Sequence, residues 1–415
     1  MADVNELAGA ADAANPVAGR GAGYGDCAGL YGTGLADPAV GRGRAWLEID
    51  LAAIAANIAA IKRAIGPRRF MGVIKANAYG HGMVPIARAA VRAGADALGV
   101  ATPEEALAVR AAGVTAPVLL MGHSHPDHAA ALVAADVTVA VYTVEVARAL
   151  AAVAAAQGRT ARVHVKVDTG LMRVGVAPAE AVSFVGALRE LGSLAVEGVF
   201  THFSGADDGD VARTREELGL LQDVLDGLAA AGHEFKTRHA AATAATLESP
   251  ETWLDMVRVG IGMYGYYPFP GCRQTVEFRP AMAFKTRITR LRRVPAGTRV
   301  GYSGSYTTPR ATTIATIPVG YADGLDKHLG NKGSVLVRGR RVPRAGTIAM
   351  DLSMIDVGAL DCVAVDDEVV LVGAQGDDLI TLEEMAATAG TAVEHLLTLL
   401  SGRPSRVYVG ADGGG

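Results

Sequence analysis

The chain has 415 residues, half of them hydrophobic, and a formal net charge of −4. That is enough chain for two domains with separate cores, and the mixed charge argues against a nucleic-acid groove or an anionic membrane surface as partner. The three cysteines, Cys27, Cys272 and Cys362, stand far apart with no C-x-x-C pair, which excludes a disulfide framework or thiolate zinc site and suits a reducing, cytoplasmic compartment.

Residues 1–43 are rich in Ala and Gly and poor in large apolar side chains, so a disordered or loosely ordered extension is expected there. Its alternating glycines, Gly19 to Gly25, follow no strand and open no helix, so they do not read as a nucleotide loop. No basic region followed by an apolar segment marks a secretory signal, and no stretch is long enough to cross a bilayer.

From Trp46 the texture changes. Trp46–Asp50 alternates like a strand and runs into an Ala-rich amphipathic helix at 51–65. Apolar strands then alternate with helices. The strands fall near 70–74, 97–100, 117–121, 137–141, 162–167, 195–200, 236–240 and 256–259. Eight such units predict an α/β fold, a TIM-like (β/α)8 barrel over 44–276. After Glu277 short strand-like runs, Thr298–Tyr302 among them, are joined by Gly-, Pro- and Asp-rich turns, and one helical pair interrupts them near 381–400. Residues 277–415 therefore read as a mostly β C-terminal domain.

In such a barrel the chemistry sits where strands end. Lys75 follows the first strand, in Val73-Ile-Lys-Ala-Asn-Ala-Tyr-Gly-His-Gly82. A lysine there is either surface or a group available for a Schiff base. Lys166, Asp168 and Arg173 lie at and after the fifth strand, Thr201-His202 ends the sixth and His239 the seventh. Arg258 lies in the eighth, just before Gly260-Ile261-Gly262, a loop suited to backbone phosphate contacts. A Schiff-base lysine and a phosphate cradle in one cavity are what pyridoxal phosphate needs. Gly122-His-Ser-His-Pro-Asp-His128 gathers three histidines and an aspartate, but at no metal-ligand spacing, so a polar loop is the plainer reading and no metal is expected.

The Val73–Gly82 run resembles the cofactor-lysine signature of the alanine racemases, fold-type III pyridoxal-phosphate enzymes, and further matches follow in order to Tyr408. The resemblance implies two catalytic bases, Lys75 and Tyr302, the second supplied by the partner of a homodimer whose active sites are shared across the interface. It implies cofactor contacts from Lys75, Tyr79, His202, His239, Thr243, Arg258, Gly260 and Ile261. It also implies substrate contacts from Arg173 and the Met350 backbone, and Lys166 matches a lysine often carbamylated in that family. The implied activity is interconversion of L- and D-alanine, with D-alanine biosynthesis as its setting. Two positions depart from the family pattern: Ala242 replaces an asparagine and Gly402 a tyrosine. They keep a racemase or epimerase of a larger amino acid as the alternative. A decarboxylase on the same barrel is disfavoured by Arg258 and Tyr302.

Overall fold

The computed structural model describes residues 43–400 and 402–410; apart from Gly43, the segment expected to be an extension lies outside the described residues. Eight parallel strands form one sheet: β2 (Arg69–Val73), β3 (Ala97–Val100), β4 (Val118–Leu120), β5 (Thr138–Val141), β6 (Ala161–Lys166), β7 (Leu194–Phe200), β8 (Thr237–His239) and β9 (Met256–Val259). Their order is β8-β7-β6-β5-β4-β3-β2-β9. Backbone bonds from Asp255 to Arg238 (3.0 Å) and from Arg258 to Ala241 (2.9 Å) bring the two end strands together. Strands covered on both faces need apolar residues at every position. That is why β3 and β5 read as continuous runs and are buried throughout. The expected barrel and its eight strands are present at the expected places.

Between the strands, the helix Leu51–Ile65 buries Ile54, Ile58, Ile61 and Ile65 on one stripe. Each buried isoleucine contributes about 1.5–3 kcal/mol. Asp50 caps this helix by accepting from Ala52 N–H at 2.8 Å and Ala53 N–H at 3.1 Å, an interaction worth about 1 kcal/mol.

Among the described residues the second, mostly β part carries two sheets and a two-stranded ribbon, Arg299–Val300 with Tyr306–Thr307. The larger contains β10 (Met282–Arg287), Ser334–Val337, Arg340–Pro343, Glu368–Gln375 and Ser405–Val409. The smaller contains Arg290–Val294, Thr312–Ile317 and Ser353–Asp356.

Trp46–Asp50 is a strand, as expected: β1 (Ala45–Asp50) lies outside the eight-stranded sheet and pairs antiparallel with β10 and parallel with Ser405–Val409. The chain thus enters through the second sheet before it builds the first. Tyr302, expected at the end of a strand over 298–302, lies in a tight turn. Gly301 (φ 78°) and Ser303 (φ 57°) reverse the backbone on either side of it, so the strand stops at Val300.

Candidate active site

Lys75 stands just past the end of β2. Ile74 N–H donates to Gly99 O (2.8 Å) and the Tyr264 hydroxyl donates to Val73 O (2.9 Å), so the strand end is fixed on both sides. The four residues after the lysine, Ala76 to Tyr79, all have φ between 51° and 55°. A run of non-glycine residues in the left-handed region costs about 1–2 kcal/mol each, and it persists only where surroundings dictate it. Here they do. Glu105, buried, accepts from Ala76 N–H (2.6 Å) and Ala101 N–H (2.8 Å). Asn77 Oδ1 accepts from Met83 N–H at 2.8 Å. The His81 ring donates from Nδ1 to Tyr79 O at 2.9 Å. From the last strand of the second sheet, Arg406 donates to Gly80 O (2.7 Å) and the Tyr408 hydroxyl to His81 O (3.0 Å). The turn that aims Lys75 is therefore clamped by the other end of the chain.

Lys75 opens into a cavity of about 530 Å³ at the C-terminal mouth of the barrel. Tyr79, Lys166, Arg173, His202, Ala242, Thr243, Arg258, Gly260 and Ile261 line the same cavity. Most of the residues singled out from the sequence are thus brought together, but Asp168, Thr201 and Gly262 are not among the lining residues. His239 lies beneath Arg258, fully buried. Tyr302 and Met350 are 72% and 53% exposed and do not line their own chain's cavity. Gly402 is not among the lining residues either. Two acids that sequence reasoning missed, Asp207 and Glu394, do line it. Asp207 follows β7 and was findable by the strand-end rule; Glu394 arrives on the helix Val393–Leu399 from the second domain, and no local signal announces it.

The electrostatics are lopsided. Lys75, Lys166, Arg173 and Arg258 surround one space, and among the described residues no carboxylate lies within ion-pair distance of any of them. Burial, then the charge of Arg173, lowers the Lys75 ammonium from its ordinary value. Burial, then Arg258, pulls Lys166 down to about 8, and its Nζ donates only to Val174 O at 3.0 Å. Burial, then Arg258, holds His202 well below the usual imidazole range. Arg258 itself is desolvated to about 9, which leaves it protonated at neutral pH. Its Nη2 donates to Thr201 O and Ala240 O (both 2.8 Å) and to His202 Nδ1 (3.2 Å). Glu394 is raised by burial and then by Asp207.

At the other end of the cavity Gly260 N–H and Gly262 N–H point at Thr243 Oγ1, at 3.2 and 3.4 Å. A Cβ at Gly260 would come within 2.5 Å of the Tyr79 hydroxyl, so only glycine lets that phenol and this backbone share the space. Unpaired cations, a lysine with a loosened proton, and a cradle of N–H and hydroxyl groups fit a ligand with a carbonyl at one end and a phosphate at the other. Pyridoxal phosphate has both.

The histidine-rich loop after β4 does not converge on one point. His123, at the cavity wall, contacts the Tyr142 hydroxyl at 3.0 Å, while His125 turns to Asp127 at 3.2 Å. Among the described residues no group of histidine, cysteine and acidic side chains is placed to hold a metal. Nor is any helix among them long and apolar enough to cross a membrane.

Comparison with known proteins follows the same lines. A family model described as the N-terminal domain of alanine racemase matches residues 49–268, and one described as its C-terminal domain matches 281–408. An alanine racemase of Desulfosudis oleivorans is 45% identical over 375 residues, spanning 88% of this chain and 96% of its own. The structure of an alanine racemase from a D-cycloserine-producing Streptomyces lavendulae is 39% identical with a TM-score of 0.85, over 88% of this chain and 97% of that one. A histidine racemase from Leuconostoc mesenteroides subsp. sake is 30% identical with a TM-score of 0.82, over 88% and 98%.

Proposed function

The chain belongs to the alanine racemase family, and from that premise we propose that it interconverts L- and D-alanine using pyridoxal phosphate held in the barrel cavity. The observation that carries this reading is the set of four cations, Lys75 among them, that share the cavity with no carboxylate of the described residues within ion-pair distance. It matches a ligand bearing a phosphate and a substrate bearing a carboxylate.

Lys75 would hold the aldehyde carbon, and Tyr79, Thr243 and the Gly260 and Ile261 N–H groups the phosphate. Arg258 would face the ring nitrogen, with His202 beside the ring and His239 behind the arginine. Arg173 would meet the ring oxygen and the substrate carboxylate. When bound, the cofactor supplies the electron sink that acidifies the substrate Cα–H. The protein decides what happens next. Arg258 is an obligate donor, so facing the ring nitrogen it would keep a proton off that atom and weaken the electron sink, which suits prompt return of a proton to Cα and disfavours decarboxylation. Lys75, its ammonium destabilised by burial, moves the proton on one face of the substrate.

The other face needs a second base, which we assign to Tyr302 of a second copy of the chain. Its exposure, like that of Met350, supports a symmetric homodimer that completes each cavity with its partner's turn. Lys166, loosened to about 8, is poised to be carbamylated; the carbamate would be an anion among these cations. A cytoplasmic site of action is consistent with the cysteine usage.

The second reading, a larger substrate, is favoured by Ala242 in the cavity wall and by the histidine racemase built on this scaffold. Holoenzyme incubated with L-alanine, L-serine, L-lysine and L-histidine and followed by chiral chromatography separates the two. Rapid approach to equal D- and L-alanine is expected. Racemisation of a larger amino acid with none of alanine would favour the second reading, and no racemisation at all would overturn both.

Gly260→Ala should weaken cofactor binding. The added Cβ displaces the Tyr79 hydroxyl, one charge-assisted phosphate contact worth about 1.5–3 kcal/mol. The dissociation constant for pyridoxal phosphate, read by absorbance titration, should rise about tenfold or more.

A further inference from the structure

Arg258 rests on a buried chain of imidazoles that continues past His239. Its Nη1 lies 3.1 Å from His239 Nδ1, and His239 Nε2 lies 2.9 Å from His164 Nδ1. The direction of every bond is fixed by the arginine, because a guanidinium can only donate. His239 Nδ1 must therefore accept, so its proton sits on Nε2 and is donated to His164. His164 Nδ1 must accept in turn, which places its own proton on Nε2. By the same rule His202 Nδ1, 3.2 Å from Arg258 Nη2, accepts. All three imidazoles are neutral Nε2–H tautomers, and the arginine keeps its whole charge among neutral acceptors.

The fold makes room for His164. It projects from β6 opposite Gly198 of β7, at a register shift between Val163 and His164. A Cβ at Gly198 would stand 2.8 Å from the His164 ring. Phe200 stacks flat on His239, centroids 4.7 Å apart and planes 4° apart, so ring and acceptor are held in one orientation. Burial, with Arg69 and Arg258 nearby, pushes His164 down to about 3, which agrees with a neutral ring.

We propose that His164 is a positioning residue: by accepting the Nε2–H that Arg258 imposes on His239 it holds that ring, and so holds the guanidinium facing the cavity. Without that acceptor the His239 Nε2–H is buried and unpaired. The ring then tilts, the arginine's Nη1 bond weakens and its aim loosens. The effect on turnover rests on the racemase reading above; the effect on the His239 Nε2–H does not.

The test uses the full-length chain labelled with 15N-histidine, without and with pyridoxal phosphate. Long-range 1H–15N correlation assigns each tautomer, with single substitutions to identify the signals. His239, His202 and His164 should each show a bare Nδ1 and a protonated Nε2 between about pH 6 and 9. His164→Leu should shift the His239 Nε2–H proton signal upfield and speed its exchange with water in both states. In the holoenzyme it should lower kcat for alanine by about 10- to 100-fold, as for lost outer-shell partners of ligating residues, with KM changed by about threefold or less. His164→Asn should restore both, since its Oδ1 stands where Nδ1 stood. Gly198→Ala should reproduce the leucine variant, because it displaces the ring without removing any group. A protonated His239 Nδ1 in the native chain would overturn the proposal. So would equal impairment of the leucine and asparagine variants, which would leave only a packing role, and so would a shifted His239 Nε2–H signal with unchanged kcat.

Discussion

A Lys75→Ala subunit and a Tyr302→Phe subunit, each nearly inactive as a homodimer, should recover about a quarter of the native activity when co-expressed and allowed to pair at random. Loss of either base removes a proton-transfer group, which costs about 10²–10⁴-fold; for Lys75 the loss of the cofactor's covalent anchor adds to it. Half of the random dimers are mixed. Each mixed dimer has one cavity with both bases and one with neither. The reasoning rests on where the two residues are. Lys75 is fixed at a strand end inside the barrel mouth by a clamped left-handed turn, whereas Tyr302 projects from a turn in the second domain, 72% exposed and outside its own cavity. If both bases served one cavity of the same chain, the mixture would stay at the level of its inactive parents. Chiral assay of the tagged and purified heterodimer gives the answer directly, and a value near one half of native per heterodimer is expected.

The barrel was legible because its strands are largely apolar and many of its polar residues gather at or near strand ends. Lys75, Lys166, His202, His239 and Arg258 all stood out on that ground, and all sit at or just beneath one cavity. Trp46–Asp50 was read correctly as a strand, but its partners were not legible. Alternation in Trp46–Asp50 reveals one buried face, not which distant segment covers it, and its partners lie near the other end of the chain. Tyr302 was read as strand because Thr298–Val300 alternates; Gly301, at φ 78°, ends the run with a conformation that no periodicity encodes. Glu394 was missed for a related reason. Its helix reaches the cavity only through the packing of one domain on the other, and a glutamate at a helix start looks like ordinary capping. The left-handed turn after Lys75 was also hidden, since Ala76, Asn77 and Ala78 carry no glycine to mark it. Its cause is tertiary: the carboxylate of Glu105 and the side chains of Arg406 and Tyr408.

The protein without cofactor should unfold in mild acid, well above the pH at which carboxylates alone would bring it down. Four histidines are held neutral by burial: His81 at about 4, His164 at about 3, and His202 and His239 well below the ordinary value. The unfolded chain protonates the same four near pH 6.5. Between the folded and unfolded values the unfolded state therefore binds more protons, and stability falls as pH falls. Above about pH 6.5 the contribution is complete; below about 5.5 each group removes about 1.4 kcal/mol per pH unit. Four together approach about 5 kcal/mol per unit, and a margin of about 5–15 kcal/mol is gone within one to three units. Glu394 and Asp207, both raised by burial, work in the opposite direction and offset at most two of the four. Urea unfolding at a series of pH values reads the proton uptake from its slope, which should rise from near zero at about pH 8 to about two to four near pH 5. His81→Asn keeps an acceptor-donor side chain at the clamped turn but cannot take up a proton in that range, and it should lower the uptake by about one. An uptake below one at pH 5 would mean that these rings are charged in the fold. A protonated ring cannot accept, so the bonds from Arg258 to His239 and His202 would then be absent, and with them the orientation of the guanidinium that the racemase reading depends on.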